Sequence, residues 1–331
     1  MLGAQGPTTR SIQLHPAPSS FIQGRRSLNL TDPIRQGGIV TETSDRTVVV
    51  GVDGSAGSAV ALQWAVDHAD HLGSIHPVMT FVSGLYEYGF GPIEDPDDRG
   101  GPYRSAAIDR LRTFLQERCP SLADAGSVIE DRAGAGLVAA AKGSELLVVG
   151  TRGWGSRVDL SLGSVGAYCA RHSVVPVALI PPVIPAVHDH LDVVVGFDGS
   201  QHANTALRWT LTHLRRSARV IAVRAYLGAT VIGDPLSPSA EISEANARRE
   251  LEDGVTAVLS DLQVHLRVEL QVVPGDAREA LRTVAADADL LVVGSRGHGV
   301  LDELLLGSVA AALAHHPTVP TVVVPHHHLP R

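Results

Sequence analysis

The chain has 331 residues, 44% of them apolar and 19% charged, the make-up of a globular protein long enough to bury two ordinary cores. A net charge of −8 with no dense Lys/Arg block excludes a general nucleic-acid binder, and no apolar run approaches the length of a membrane span. Two cysteines, Cys119 and Cys169, are too few for a disulfide framework and suit a reducing cytoplasm.

Residues 1–44 mix polar residues with Pro and Gly and lack a continuous apolar core, so a flexible tail is expected. The run TVVVGV from Thr47 to Val52 reads as a buried strand, ended by Asp53-Gly54-Ser55. Ser58 to Leu72 has helical spacing, with Ala61, Leu62, Ala65, Val66 and Ala69 on one stripe. Pro77–Val82 is a second strand, Ser83–Pro102 a long loop, and Tyr103–Cys119 an amphipathic helix stopped by Pro120. Strands at Val128–Asp131, Glu145–Val149 and Val175–Ile180 then alternate with helices at Ala135–Lys142 and Val165–Arg171. After a stiff, proline-rich linker the pattern restarts: VVVGVDGS at Val48–Ser55 returns as VVVGFDGS at Val193–Ser200, and Trp64 returns as Trp209 at the same offset. The second half carries strands at Val220–Tyr226, Val264–Val273, Asp289–Val293 and Val319–Val324. Between them lie a loop at Gly228–Ser239 and helices at Glu241–Leu259, Asp276–Ala286 and Val309–Ala314. This is a duplicated α/β domain: two tandem open parallel five-stranded sheets with helices on both faces. The expected boundaries are 45–182 and 191–325, with a linker at 183–190 and a His-rich tail at 326–331.

One stretch organises each half. LLVVGTRGWGSRVDLSLGS, Leu146 to Ser164, breaks from a buried strand into Gly150, Gly153 and Gly163-Ser164. LLVVGSRGHGVLDELLLGS, Leu290 to Ser308, repeats it with Gly294, Gly297 and Gly307-Ser308. Amides gathered where a strand ends and a helix begins form a site for an anion such as phosphate. Asp53 and Asp198 end the first strand of each half, where an open parallel sheet takes its ligands; Asp-Gly-Ser also suits a plain turn and helix cap. Arg152 and Arg296 either neutralise phosphate or solvate their loops, and Trp64 and Trp209 belong to the core. Neither cysteine has the neighbours of an activated thiolate, and the adjacent histidines at 315–316 and 326–328 lack the spacing of a structural zinc site.

Each half resembles a universal stress protein domain, and the whole chain resembles the tandem two-domain members common in actinobacteria. The resemblance rests on the G-x2-G-x9-G-[S/T] pattern, complete in both halves, and on the aspartate closing the first strand. It implies ATP as ligand, with Mg2+ as a companion. Gly150, Gly153, Gly163 and Ser164, and Gly294, Gly297, Gly307 and Ser308, would hold phosphates and ribose, with Asp53 and Asp198 beside the adenosine. Adenine would be read by main-chain atoms at the end of the second strand, which 16 residues from each Trp puts at Thr80 and Ala225.

The implied function is nucleotide-dependent change of conformation or of association with a regulatory protein partner, in a stress or growth-arrest response. No residue is assigned to catalysis. The alternative is a slow ATPase or nucleotidyl-transfer enzyme, for which Asp159, Asp302 and Glu303 are the candidate acids. A scaffold that holds no nucleotide is the third reading. The strands VPVALI and VPTVVV are open to edge pairing, so the halves are expected to pack about a pseudo-two-fold axis and two chains to dimerise through these strands. Gly134 to Gly150 spans 16 residues against 19 from Gly275 to Gly294. On that count the first half lacks about three residues, nearly a helical turn, and the second site is favoured for full ATP occupancy.

Overall fold

The computed structural model describes residues 9–11, 46–83, 101–153, 162–184, 191–214, 218–226, 238–264, 266–297 and 306–325. The first half contains β2 (Thr47–Gly51), α1 (Ala56–Asp67), α2 (Ala69–Leu72), β3 (Ser74–Phe81), α3 (Gly101–Arg118), β4 (Ser127–Glu130), α4 (Ala133–Ala140), β5 (Leu146–Gly150), α5 (Ser164–His172) and β6 (Val177–Ile180). The second contains β7 (Leu191–Gly196), α6 (Gln201–His213), β8 (Ala218–Tyr226), α7 (Pro238–Asp261), β9 (Val268–Pro274), α8 (Ala277–Ala285), β10 (Leu290–Gly294), α9 (Ser308–His315) and β11 (Thr321–Val324). The expected helix through Leu72 breaks at His68, whose backbone leaves the helical region at φ −109° and ψ 8° while its ring Nδ1 lies 2.7 Å from the Trp64 carbonyl. Most of the expected loops at Ser83–Pro102 and Gly228–Ser239 lie outside the described residues.

Each half forms the expected five parallel strands, in the order β4-β3-β2-β5-β6 and β9-β8-β7-β10-β11. The two sheets are not separate. β6 and β11 pair antiparallel, with Val322 opposite Ala178, Thr321 opposite Leu179 and Val323 opposite Val177. Ala178 and Val322 are each other's counterparts at an offset of 144, and the flanking pairs exchange places, as a two-fold axis through the central pair requires. The halves thus pack about the expected pseudo-two-fold axis, and the terminal strands are corrected as the route to a dimer. β6 lies between β5 and β11, and β11 between β10 and β6, so neither terminal strand has an open edge for a second chain. A further strand, β1 (Thr9–Ser11), pairs antiparallel with β9, so part of the tail expected to be flexible adds to the edge of the second half.

Alternate strand residues feed two cores that each run across the β6–β11 seam. Val48, Val148, Ala178, Val193, Val292 and Val322 face the helices α1, α3, α6 and α7. Val49, Leu147, Val177, Val194, Leu291 and Val323 face α4, α5, α8 and α9. Strands covered on both faces read as continuous apolar runs, which is why VVV and LLVV recur. Trp64 and Trp209 are buried in the first core, as expected. Two further bonds tie the halves: buried His213 meets Glu145 with Nε2 3.0 Å from Oε2, and the Leu162 amide donates to the His315 carbonyl at 2.9 Å.

On the outer strands, Arg219 donates to Glu269 at 2.7 Å, and that bond holds the Glu269 carboxyl below its ordinary range. A carboxyl with a lowered pKa contributes stability above its ordinary value and loses it as pH falls through the lowered one. Arg219 is half-exposed, so Arg219→Ala is expected to cost under about 1 kcal/mol at neutral pH. The difference should vanish below the carboxylate range, which urea denaturation at the two pH values checks.

Candidate functional site

In each half the strand order reverses between the first and fourth strands, β2 and β5 or β7 and β10, and the carboxyl ends there open a crevice. Asp53 and Asp198 begin the chain segment leaving β2 and β7. Their Oδ1 atoms accept the amides of Ser55 and Ser200 at 2.9 Å, and the intervening Gly54 and Gly199 turn at φ +82°, a left-handed conformation suited to glycine. Ser55 and Ser200 then cap α1 and α6, accepting from Ser58 and Ala203. The turn-and-cap reading therefore holds, and the same aspartates also face the glycine loops. A β-carbon on Gly153 would lie 2.6 Å from Asp53 Oδ2, and one on Gly297 2.5 Å from Asp198 Oδ2. A side chain at either position would have to displace that carboxylate.

The remaining motif glycines have structural work as well. A β-carbon on Gly150 would meet the Gly57 carbonyl at 2.7 Å, and one on Gly294 would meet the His202 backbone at 2.6 Å. These two glycines let the first turns of α1 and α6 pack on the strand ends. The amides of Gly163 and Gly307 donate to the carbonyls of Thr151 and Ser295 at 2.9 Å, closing each loop. Both glycines also line the clefts. The helices that follow, α5 and α9, start at Ser164 and Ser308 with no side-chain cap on their first-turn amides, whereas α1 and α6 are capped by their own serines. An uncapped helix start beside a glycine loop is where an anion is best accommodated.

The structure gathers the residues of each half around one cleft. In the first, of about 520 Å³, Asp53, Thr80, Gly150, Arg152, Gly153, Gly163 and Ser164 all line the walls. In the second, of about 440 Å³, Asp198, Ala225, Gly294, Arg296, Gly297, Gly307 and Ser308 do so. Arg152 Nη2 is buried without a hydrogen-bond partner among the described residues. Trp154 and His298, and the candidate acids Asp159, Asp302 and Glu303, lie outside the described residues. Among the described residues no cluster of His, Cys, Asp and Glu could hold a metal ion, and no helix is long and apolar enough to cross a membrane.

The clefts also correct the sequence comparison of the halves. Ala133 and Leu137 line the first, and Ala277 and Leu281 the second, each pair at the offset of 144 that also relates Gly150 to Gly294. The spacing into the motif is therefore equal, and no residues are missing. Gly275 turns at φ +118° before α8, whereas Gly134 lies within α4, so the two glycines are not counterparts. Sequence reasoning missed Arg110, which reaches from α3 to donate to the Asp53 carbonyl at 2.7 Å and lines the first cleft. Nothing local marks it among the other charged residues of that helix.

Comparison with known proteins fits this duplicated geometry. The universal stress protein family profile matches residues 45–181 and again 191–325. The chain belongs to the universal stress protein family. It is 30% identical over 290 residues to a universal stress protein of Mycobacterium tuberculosis strain H37Rv, covering 83% of this chain and 96% of that one. A universal stress protein of Mycolicibacterium smegmatis is 27% identical over 309 residues, covering 86% of this chain and 99% of the other. The crystal structure of a universal stress protein from Archaeoglobus fulgidus superposes with a TM-score of 0.56 at 18% identity, covering 85% and 98% of the two chains, and shares the fold.

Within this universal stress protein the two cysteines differ sharply. Cys169 on α5 is fully buried, and burial pushes its thiol up to about 12, while Cys119 is partly exposed. Cys119 is expected to be alkylated in the native protein and Cys169 only on unfolding, as peptide mass spectrometry after a timed iodoacetamide pulse will tell.

Proposed function

We propose that this universal stress protein binds ATP in both clefts, and that occupancy alters its shape or its association with a regulatory partner during stress or growth arrest. The observation that carries this reading is the meeting, in each cleft, of an aspartate from one strand end with the glycine loop and uncapped helix start of the adjacent strand. The helix-start amides at Ser164 and Ser308 take the phosphates, with Arg152 and Arg296 as the neighbouring cations. Asp53 and Asp198 accept from the ribose, and the main chain at Thr80 and Ala225 meets the base. Charge-assisted bonds contribute about 1.5–3 kcal/mol each, so a few of them reach micromolar affinity. Mg2+, where it accompanies ATP, is held mainly by the phosphates with Ser164 or Ser308 as a protein oxygen. The protein is cytoplasmic. With no general base assigned, any hydrolysis is slow, and an association of two chains uses surfaces other than the terminal strands.

The test is direct. Protein purified without added nucleotide is denatured and the released small molecules are identified by mass spectrometry. ATP at one or two per chain is the expected result. A folded protein that releases no nucleotide and takes up none on titration overturns the reading.

A further inference from the structure

Helix α9 joins the two clefts end to end. Its first residue, Ser308, lines the second cleft, and the carbonyl of its last, His315, accepts the amide of Leu162 at 2.9 Å. Leu162 belongs to the other half and immediately precedes Gly163 and Ser164, which line the first cleft. Its side chain lies against α5, where a β-carbon on Gly166 would be 2.6 Å from Cδ1, and Gly166 lines the first cleft too. Eight residues at 1.5 Å each make α9 a rod about 12 Å long. Arg282 steadies its last turn by donating to the Ala312 carbonyl at 2.9 Å. That arginine comes from α8, whose Ala277 and Leu281 are walls of the second cleft.

The first half has no such link, and a proline is the reason. Leu306 and Arg171 are the counterparts of Leu162 and His315 at the offset of 144, and among the described residues no bond joins them. After α5, the Ser173 amide donates to the Cys169 carbonyl at 2.9 Å and closes the last turn from within. Pro317 holds the equivalent place after α9 and has no N–H to do this. It also disfavours helical backbone at the preceding His316, which stands at φ −136° and ψ 69°. Helix α9 therefore ends one residue earlier than α5 and leaves the His315 carbonyl to the other half. Val138 stands where Arg282 does and supplies no donor.

We propose that the two clefts bind nucleotide cooperatively, with α9 as the connection: a ligand in the second raises the affinity of the first. The proposal rests on the nucleotide reading above and deepens it. The element with two states is the bond between Leu162 and His315, made or open. An anion at the uncapped start of α9 satisfies its first amides and favours its ordered form through the helix dipole. The ordered helix presents the His315 carbonyl to Leu162, and that bond fixes the backbone leading into Gly163 and Ser164. Linkage makes the effect mutual: the factor that the second site confers on the first is returned by the first to the second.

The experiment titrates the full chain with ATP by calorimetry in three forms: unmodified, Gly297→Asp to leave the first cleft, and Gly153→Asp to leave the second. The product of the two association constants of the unmodified protein is expected to exceed the product of the two single-site constants by about fivefold or more. Pro317→Ser, which installs the residue found after α5 and lines neither cleft, should return that ratio to near one. Ala311→Gly with Ala312→Gly, which softens the rod, should do the same. Both changes are expected to leave each single-site affinity within about twofold, and circular dichroism confirms that the variants fold. In Gly153→Asp protein, ATP in the second cleft should slow hydrogen exchange at the Leu162 amide by about fivefold or more, read by NMR. A ratio of one with both clefts filled, unchanged exchange at Leu162, or coupling that survives both α9 variants overturns the proposal while leaving nucleotide binding intact. No binding of ATP to the unmodified protein overturns the nucleotide reading and this proposal together.

Discussion

Gly297→Asp, introduced into protein whose first cleft is already disabled by Gly153→Asp, is expected to remove the remaining nucleotide binding, a loss of a hundredfold or more by calorimetric titration. A β-carbon at 297 would sit 2.5 Å from Asp198 Oδ2, so the new side chain must displace that carboxylate before any ligand arrives. The second carboxylate it brings repels Asp198 by about 4 kcal/mol at a separation near 4 Å and an effective dielectric near 20. The same charge repels the phosphates. The effect should stay local, because Gly297 lies beyond the strand end and outside both cores. If the double variant binds ATP as well as Gly153→Asp alone, the glycine loop of the second half is not the phosphate site.

Ala178→Asp is expected to lower the stability of the whole protein by more than about 4 kcal/mol, because it buries a carboxylate with no partner at the seam of the eleven-stranded sheet. Ala178 is fully buried and sits opposite Val322, the pair through which the two-fold relation between the halves passes. Both cores continue across that seam, so a charge there weakens each half and their union together. In urea the normal protein should unfold in one transition, and the variant at lower urea or in two separated transitions as the halves uncouple. A variant within about 1 kcal/mol of the normal protein would mean that the β6–β11 pairing does not hold the halves together.

Much of this organisation is legible in the chain, and particular residues show where legibility ends. The runs VVV and LLVV are strands covered on both faces, and their repetition announces two parallel sheets before any coordinate is known. The Gly-Ser of each motif marks a helix start, and the structure begins α5 and α9 at Ser164 and Ser308. The comparison of the halves failed because it was anchored on Gly134 and Gly275, and glycine serves unrelated purposes. Gly275 supplies a positive φ ahead of a helix, while Gly134 lies inside α4 with the Tyr168 ring against it. Ala133 and Leu137 were the informative anchors, since cleft walls constrain side-chain position, but an alanine and a leucine carry no visible signal in one dimension.

The sequence by itself determined the duplicated α/β architecture, the family, and the two strand-end motifs, because apolar periodicity and turn chemistry are local properties. Only the tertiary structure decided what the motifs meet. It set each aspartate's second oxygen against a glycine of the loop, and it closed the loops through the Gly163 and Gly307 amides. It brought Arg110 from a distant helix to the wall of the first cleft, and it set the register of the terminal strands, whose pairing is expected from their open edges. Each of these is a pairing between segments far apart in the chain, fixed by the packing of two sheets into one. No local pattern encodes such a pairing.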